Sequence, residues 1–133
     1  MADSRFTVFQ DRKSHMRNYK NLTFWDDLVK ALVRSYRFGM SLPTNDQYAL
    51  GADIKRVAVR VRTKIVAGIS TESAAGCAHE FDGAYQGLKE ITSGVEFAVE
   101  LGLTKPELVA DLLETLDRLA GAVFSYRRTL AES

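Results

Sequence analysis

The stretch that decides the fold of this chain is residues 77–102, CAHEFDGAYQGLKEITSGVEFAVELG. Apolar and small residues recur in it at steps of three and four, which places them on one stripe of an α-helix. Such a stripe is the seam along which one helix packs on another. We therefore predict a long helix with one buried face, formed by Cys77, Phe81, Ala84, Leu88, Ile91, Val95, Ala98 and Gly102.

The first helix is predicted to begin after Thr23, whose hydroxyl is placed to cap the free N–H groups of the first turn. Asp26, three residues on, complements the positive end of the helix dipole. Gly39 is expected to end the helix. The stripe predicted to face the core comprises Trp25, Leu28, Val29, Leu32, Val33 and Tyr36.

The second helix is expected to follow the loop that contains Pro43. Thr44 and Gln47 have the spacing of a capping box, and Gly68 is expected to stop the helix. Residues 57–62, Val-Ala-Val-Arg-Val-Arg, also alternate as a β-strand would, but the length of the stretch and the preceding cap favour a helix. Its apolar stripe comprises Leu50, Ile54, Val57, Ala58, Val61 and Ile65.

The third and fourth helices meet at the clearest boundary signal in the chain. Ser70 and Thr71 are expected to cap the third helix, and Gly102 occupies the place of a left-handed terminating residue. Thr104 then restarts the chain as a cap, with Pro106 in the first turn, where its missing N–H does no harm. The fourth helix carries Val109, Leu112, Leu116, Leu119, Val123, Tyr126 and Leu130 on its main stripe, with Leu113, Ala120 and Phe124 beside it.

Four helices with short connections predict an all-α fold, an up-down-up-down antiparallel four-helix bundle over residues 22–133. The length of 133 residues provides room for one domain with one core. Residues 1–21 are predicted to be a polar N-terminal extension. The junction Ser14-His15-Met16 fits a cloning scar, in which case residues 1–15 are not native; a native, loosely ordered extension is the alternative.

The second and fourth helices carry more apolar positions than one seam requires. Deep burial explains this excess, and so does a subunit interface. We favour the interface, because a small bundle rarely needs such wide apolar stripes. The sequence therefore predicts a homo-oligomer with Val59, Val66, Leu113 and Phe124 as candidate interface residues.

Composition excludes several classes of protein. A hydrophobic fraction of 46% with 26% charged residues is too apolar for a disordered chain. No apolar run approaches the roughly 20 residues that a bilayer span needs, so no membrane partner is expected. The lone cysteine, Cys77, excludes an intramolecular disulfide and suits a reducing compartment. We expect a cytoplasmic protein.

Charge is distributed unevenly, although the net charge is +1. Residues 53–68 contain five basic residues against Asp53, whereas residues 71–102 contain six acidic residues against Lys89. The basic set is the candidate site for nucleic acid, because docking on phosphates needs several cations on one surface. Pairing with the acidic third helix, or solubility, is the commoner explanation of such a cluster, and no aromatic residue alternates with the cations to stack on bases. The candidate nucleic-acid-binding residues are Lys55, Arg56, Arg60, Arg62 and Lys64.

No catalytic or metal site can be assembled from the sequence. Cys77 lies on the core stripe and His79 on a different face, so the two lack the geometry of a nucleophile and its base. A binuclear bundle site needs Glu-x-x-His on two helices, and the other predicted helices contain no histidine. The glycines of the third helix are better explained by close helix approach than by phosphate binding. We expect neither an enzyme nor a cofactor, with a bundle-type metalloenzyme as a distant alternative.

From Leu22 onward the chain resembles the four-helix-bundle proteins encoded in 23S rRNA intervening sequences. The likeness rests on the aromatic start of the first helix at residues 22–25, the Leu-Pro of the first loop at 42–43, residues 54–59 and 64–68 of the second helix, and residues 84–91 of the third. The last of these, AYQGLKEI, is similar to the family pattern Ala-x-Gly-Ser-Leu-x-Glu-Leu. Lys64 and Ala67 depart from the asparagine and glutamate of the family, so any polar role of those two family residues is absent or altered here.

The resemblance implies a pentameric, barrel-like assembly of bundles with no established enzymatic activity. A related branch, the accessory variability proteins of diversity-generating retroelements, consists of basic pentamers that bind nucleic acid and a reverse transcriptase. We therefore expect a non-catalytic, ring-like homo-oligomer, with a pentamer favoured, that acts as a binding or scaffold module for RNA, DNA or a nucleic-acid enzyme. A purely structural or protein-interaction oligomer with no nucleic-acid role is the alternative.

Overall fold

In a computed structural model that describes residues 18–131, these residues form four long α-helices and no β-strand. Helix α1 spans Trp25–Ser41, α2 Ala52–Ser70, α3 Ala74–Glu100 and α4 Pro106–Ala131. A short 3₁₀ turn, Tyr19–Asn21, precedes α1. The predicted all-α fold with four helices is confirmed. None of the helices within residues 18–131 combines the length and the hydropathy needed to cross a membrane.

Part of the predicted division of the chain lies outside the described residues. Residues 1–17 of the expected extension, including residues 1–15 with their uncertain origin, are not among them, and neither are residues 132–133. Within the described part, Tyr19 packs against the core, with its ring centroid 4.6 Å from that of Trp25. Contacts with the bundle thus extend back at least to residue 19.

Helix α1 begins and ends later than the sequence suggested. Its N-cap is Phe24, whose side chain makes no capping hydrogen bond, so the prediction that Thr23 caps the helix is wrong. Asp26 in the first turn complements the helix dipole, as expected. The helix continues through Gly39 to Ser41, because Gly39 is buried against the next element and serves close packing rather than termination.

The chain enters α2 through two irregular turns. Thr44–Asp46 form one α-helical turn and Gln47–Gly51 one π-helical turn before the regular helix begins. Gln47 Nε2 donates to the backbone carbonyl of Leu42 at 2.6 Å rather than closing a capping box, so that prediction is wrong. Residues 57–62 are helical, which excludes the alternative of a strand.

The connection between α2 and α3 is displaced by a few residues from its predicted place. Helix α2 passes Gly68 and ends at Ser70, because Gly68 is buried beneath the ring of Phe81 instead of stopping the helix. The N-cap of α3 is Ser73, whose hydroxyl accepts a hydrogen bond from the N–H of Gly76 at 2.9 Å. The predicted cap at residues 70–71 is therefore wrong.

The boundary between α3 and α4 agrees with the sequence. Gly102 has a φ of 77°, the left-handed conformation that favours glycine. The N–H of Leu103 donates to the carbonyl of Ala98, and the N–H of Gly102 to that of Val99, each at 2.9 Å. This is the Schellman arrangement that terminates a helix. Helix α4 begins at Pro106, so the proline lies in the first turn, as predicted, but the residue directly before the helix is Lys105 and not the predicted cap, Thr104.

The four helices surround one apolar core. Helix α2 packs extensively on α1 and on α3, α3 packs on α4, and α4 packs more lightly on α1. Each helix thus has two neighbours, and the seam between α1 and α2 lies across the core from the seam between α3 and α4. The stripe of α3 is fully buried from Cys77 to Ala98, as predicted, whereas its last predicted member, Gly102, lies beyond the end of the helix and is exposed.

The predicted core stripe of α1 needs one correction. Val33 and Tyr36 are 41% and 39% exposed, whereas Leu28 and Ala31 are almost completely buried. At 100° per residue, Val33 and Tyr36 lie on the flank of the stripe rather than on its centre line. They face the α2 side of the surface instead of the core.

Glycines let α2 and α3 approach closely, as the sequence predicted. A Cβ atom on Gly87 would lie 2.5 Å from Cγ2 of Val61, and one on Gly94 would lie 2.9 Å from Cγ1 of Ile54. The contacting residues therefore occur in opposite order along the two helices. Any larger side chain at Gly87 would force the helices apart.

A second close approach joins the end of α1 to the π-helical turn before α2. A Cβ atom on Gly51 would lie 2.5 Å from the carbonyl oxygen of Gly39, and one on Gly39 would lie 2.8 Å from the carbonyl oxygen of Gly51. Both obstacles are backbone atoms, which cannot rotate away as a flexible side chain can. This crossing therefore requires glycine at both positions.

Replacing Gly51 by alanine tests this crossing. We expect Gly51→Ala to lower the free energy of unfolding by about 1–3 kcal/mol, the usual cost of overpacking. Urea unfolding followed by far-UV circular dichroism measures the change. The matched control is Gly121→Ala, at an exposed helical glycine with open space around its Cβ position. That variant is expected to gain up to about 1 kcal/mol. A Gly51→Ala protein as stable as the wild type would contradict the crossing.

Candidate nucleic-acid and subunit interfaces

Helical spacing divides the basic residues of α2 into two rows. Arg56, Arg60 and Lys64, four residues apart, lie on the side of α2 that faces α3. Lys55 and Arg62 lie on the side that faces α1. The five candidate residues are thus not one continuous patch on the bundle.

Each residue of the α3-facing row is paired with a carboxylate. Two of the three pairs join α2 to the acidic helix α3, and the third lies within α2. All of these side chains remain at least a quarter exposed, so water and salt screen the pairs. The pairs are Arg56–Asp53 at 2.6 Å, Arg60–Glu90 at 2.5 Å and Lys64–Glu80 at 3.3 Å.

The α1-facing row contacts aromatic rings instead of carboxylates. The guanidinium of Arg62 lies 5.0 Å from the ring centroid of Trp25, and the ammonium of Lys55 lies 5.8 Å from that of Tyr36. Contacts of this kind contribute about 0.5–1 kcal/mol at exposed sites. The sequence of α2 alone does not reveal these contacts, because both aromatic rings belong to α1.

These two cations flank an apolar depression on the seam between α1 and α2, which we call the α1–α2 groove. Its volume is about 180 Å³. Met40, farther along the same side of α1, is also half-exposed. The groove is lined by Val29, Leu32, Val33, Tyr36, Ala58, Val59 and Arg62.

A pair of aromatic side chains, Tyr85 and Phe124, lies on the opposite seam, between α3 and α4. We call this pair the aromatic ridge; its ring centroids are 5.8 Å apart. Phe124 is 50% exposed. The ammonium of Lys89 lies 5.7 Å from the Tyr85 ring centroid, and the guanidinium carbon of Arg128 lies 6.0 Å from that of Phe124.

The four predicted interface residues lie on these two seams. Val59 is 57% exposed in the α1–α2 groove, and Val66, seven residues later, shares its side of α2 and is partly buried. Leu113 and Phe124 share one side of α4, where Leu113 is partly buried against the core. Two of the predicted interface residues thus lie on the α1–α2 side of the bundle and two on the opposite, α3–α4 side.

One ion pair on the α3–α4 seam was not foreseen. Arg127 donates through Nε to Asp82 Oδ1 at 2.8 Å and through Nη2 to Oδ2 at 3.2 Å. The hydrogen bond, followed by the charge of Asp82, raises the pKa of Arg127 above its ordinary value. Because arginine is charged at any physiological pH, the pair acts as a fixed link between α3 and α4.

The cysteine and the histidine considered for catalysis lie in different environments. Cys77 is fully buried in the core, whereas His79 is exposed on the outer side of α3. Within residues 18–131, no three histidine, cysteine or acidic side chains are grouped so that they could hold a metal ion.

Comparison with known families identifies a related family. The model of the family described as 23S rRNA-intervening sequence protein matches residues 20–125, more than three quarters of the chain. No curated protein and no solved structure gives a significant match. The matched residues include all of α1, α2 and α3 and most of α4.

A double-mutant cycle on Arg60 and Glu90 tests the pairing across the α2–α3 seam. We expect Arg60→Gln and Glu90→Gln to show a coupling energy of about 0.2–1 kcal/mol, because both side chains are half-exposed. The coupling should decrease in high salt. Urea unfolding of the wild type, the two single variants and the double variant measures it. A coupling of zero at low salt would show that Arg60 is not engaged by Glu90.

Proposed function

The chain belongs to the 23S rRNA-intervening sequence protein family, and from that premise we propose that it is a non-catalytic helical bundle that assembles with copies of itself into a binding scaffold. The observation that carries this proposal is the α1–α2 groove. Its lining is almost entirely apolar and lies open at the surface. Contiguous apolar surface of this kind is typical of sites that bind another protein surface.

We further propose that the bundle has the up-down-up-down topology and forms a closed ring, with five copies favoured. Two observations support the topology: residues in contact occur in opposite order along α2 and α3, and the connections between the helices are short. The ring and its copy number rest on the family resemblance. Apolar surface on opposite sides of the bundle is compatible with a ring.

The absence of catalysis is part of the proposal. Its support is the separation of Cys77 and His79, since a nucleophile needs a base within hydrogen-bond reach and some access to substrate. A fully buried thiol lacks that access. The lone cysteine also supports a cytoplasmic location, in which a thiol stays reduced.

The solution mass tests self-assembly directly. We expect light scattering coupled to size-exclusion chromatography to give a multiple of 14.8 kDa, with five times that mass favoured. High salt should not dissociate the particle, because burial of apolar surface is not screened by ions. A particle of 14.8 kDa would contradict the proposal.

Nucleic acid is the second candidate partner of the scaffold. The observation that favours it is the row of Arg56, Arg60 and Lys64, which presents a cation at each helical turn along one flank of α2. The carboxylates that pair with them are themselves partly exposed, so a phosphate can reach the same cations. Repetition of the row around an assembly would give a long basic track.

Charge reversal tests the nucleic-acid role. We expect the wild type to bind a mixed-sequence RNA with an affinity that falls as salt rises, and Arg56→Glu/Arg60→Glu to bind at least tenfold more weakly. Fluorescence anisotropy over a salt series measures both. The matched control is Arg34→Glu/Arg118→Glu, which changes the net charge equally but removes two cations paired across the α1–α4 seam.

Two outcomes of this experiment contradict the role. If the control variant lost as much affinity as Arg56→Glu/Arg60→Glu, the binding would depend on net charge alone and not on the basic row. Absence of binding by the wild type would leave a purely structural or protein-interaction oligomer.

A further inference from the structure

A polar depression lies on the α2–α3 seam, where the basic row of α2 meets a polar stripe of α3. We call it the α2–α3 depression; its volume is about 470 Å³. The α3 residues that line it recur at steps of three and four, so they share the side of α3 that faces the basic row. The lining residues are Arg60, Lys64, His79, Asp82, Gly83 and Gln86.

The side chains of the α2–α3 depression mainly offer hydrogen-bond donors. Arg60 contributes a guanidinium group, Lys64 an ammonium group and Gln86 an amide. Asp82, the carboxylate of the lining, accepts hydrogen bonds from Arg127 at both of its oxygens. A ligand that complements this lining therefore carries negative charge and several acceptor oxygens.

Gly83 gives Lys64 its place in the depression. A Cβ atom on Gly83 would lie 3.2 Å from both Cδ and Cε of Lys64, so the missing side chain leaves room for the lysine stem to cross α3. The ammonium group then meets Glu80 at 3.3 Å. Lys64 stands where the family pattern has an asparagine, so the depression owes its charge to a residue particular to this chain.

The charges around His79 balance one another without it. Arg60 and Lys64 on α2 and Arg127 on α4 are each paired with a carboxylate of α3. The three carboxylates are Glu90, Glu80 and Asp82. His79 is exposed, and neither it nor Gln86 has a hydrogen-bond partner within residues 18–131. Because histidine changes charge between about pH 5 and 8, protonation of His79 gives the depression an excess of positive charge.

We propose that the α2–α3 depression binds a phosphate group between Arg60, Lys64 and the protonated imidazole of His79. The site extends the basic row by a residue of α3, and only the source of its phosphate rests on the nucleic-acid role proposed above. That source is a phosphodiester of RNA or free phosphate. The anion binds the charged imidazole in preference to the neutral one, so affinity is highest at low pH and decreases as pH rises through the titration of histidine.

Inorganic phosphate tests the site without nucleic acid. The chain has two histidines, His79 and His15, and the second lies outside the described residues. We expect phosphate at about pH 6 to shift the imidazole C–H resonances of His79 and to leave those of His15 unchanged. The measurement is NMR at an ionic strength held constant with chloride, with the signals assigned from a His15→Gln variant. Lys64→Gln should weaken the apparent affinity several-fold.

RNA tests whether the phosphate belongs to a nucleic acid. We expect a mixed-sequence RNA to bind the wild type several-fold more tightly at about pH 5.5 than at about pH 7.5, at fixed ionic strength. His79→Gln should bind with the same affinity at both pH values; the position is exposed, so the fold should tolerate the change. The matched control is His15→Gln, which removes one titrating group from the chain and should keep the gain. Fluorescence anisotropy measures all three proteins.

The two measurements separate failure of this site from failure of the nucleic-acid role. A phosphate-dependent shift of His79 in a protein that binds no RNA, or binds it equally at both pH values, would assign the site to free phosphate. No response of His79 to phosphate, or an equal response of both histidines, would overturn the site. Loss of the RNA gain in His15→Gln as well as in His79→Gln would also overturn it, because the gain would then follow net charge.

Discussion

The close approach of α2 to α3 is the constraint on which the rest of this structure depends. Glycine at positions 87 and 94 removes the side chains that would hold the helices apart, and Val61 and Ile54 occupy the space. Because the helices lie so near each other, long side chains on their outer edges can reach across the seam. Arg60 forms an ion pair with Glu90 there, and Lys64, one turn farther along α2, forms an ion pair with Glu80.

The packing of α2 also determines which partners its basic residues contact. In the sequence, five cations within residues 53–68 form one cluster. In the fold, the packing of α2 between two different neighbours separates them, so three are paired with carboxylates and two lie over aromatic rings. Exposed apolar side chains are left on the α1–α2 seam, among them Val33 and Val59, and Phe124 is left on the α3–α4 seam. The geometry therefore supports contact with another protein surface more strongly than contact with phosphate.

The sequence predicts those parts of the molecule that depend on helical periodicity. The buried stripe of α3 follows from the angle of 100° per residue, and the left-handed Gly102 follows from residue type. The helix starts were predicted less well. Phe24 rather than Thr23 precedes α1, and a π-helical turn replaces a capping box before α2, because tertiary contacts such as the Gly39–Gly51 crossing override local capping. The contact partners of most of the cations could not be predicted from the sequence. They lie on neighbouring helices, and which residues face each other depends on how far one helix is shifted along the other.

The pairing of the basic row also determines how nucleic acid can bind. A phosphate that approaches Arg60 has to displace Glu90, and one that approaches Lys64 has to displace Glu80. Each contact therefore gains less than a contact with an unpaired cation, and the displaced carboxylate stays nearby and repels the phosphate. One bundle offers three such contacts, too few for tight binding at physiological salt. Copies held in one assembly add their contacts, since binding at one copy raises the effective concentration at the next. The proposed nucleic-acid role therefore depends on the proposed self-assembly.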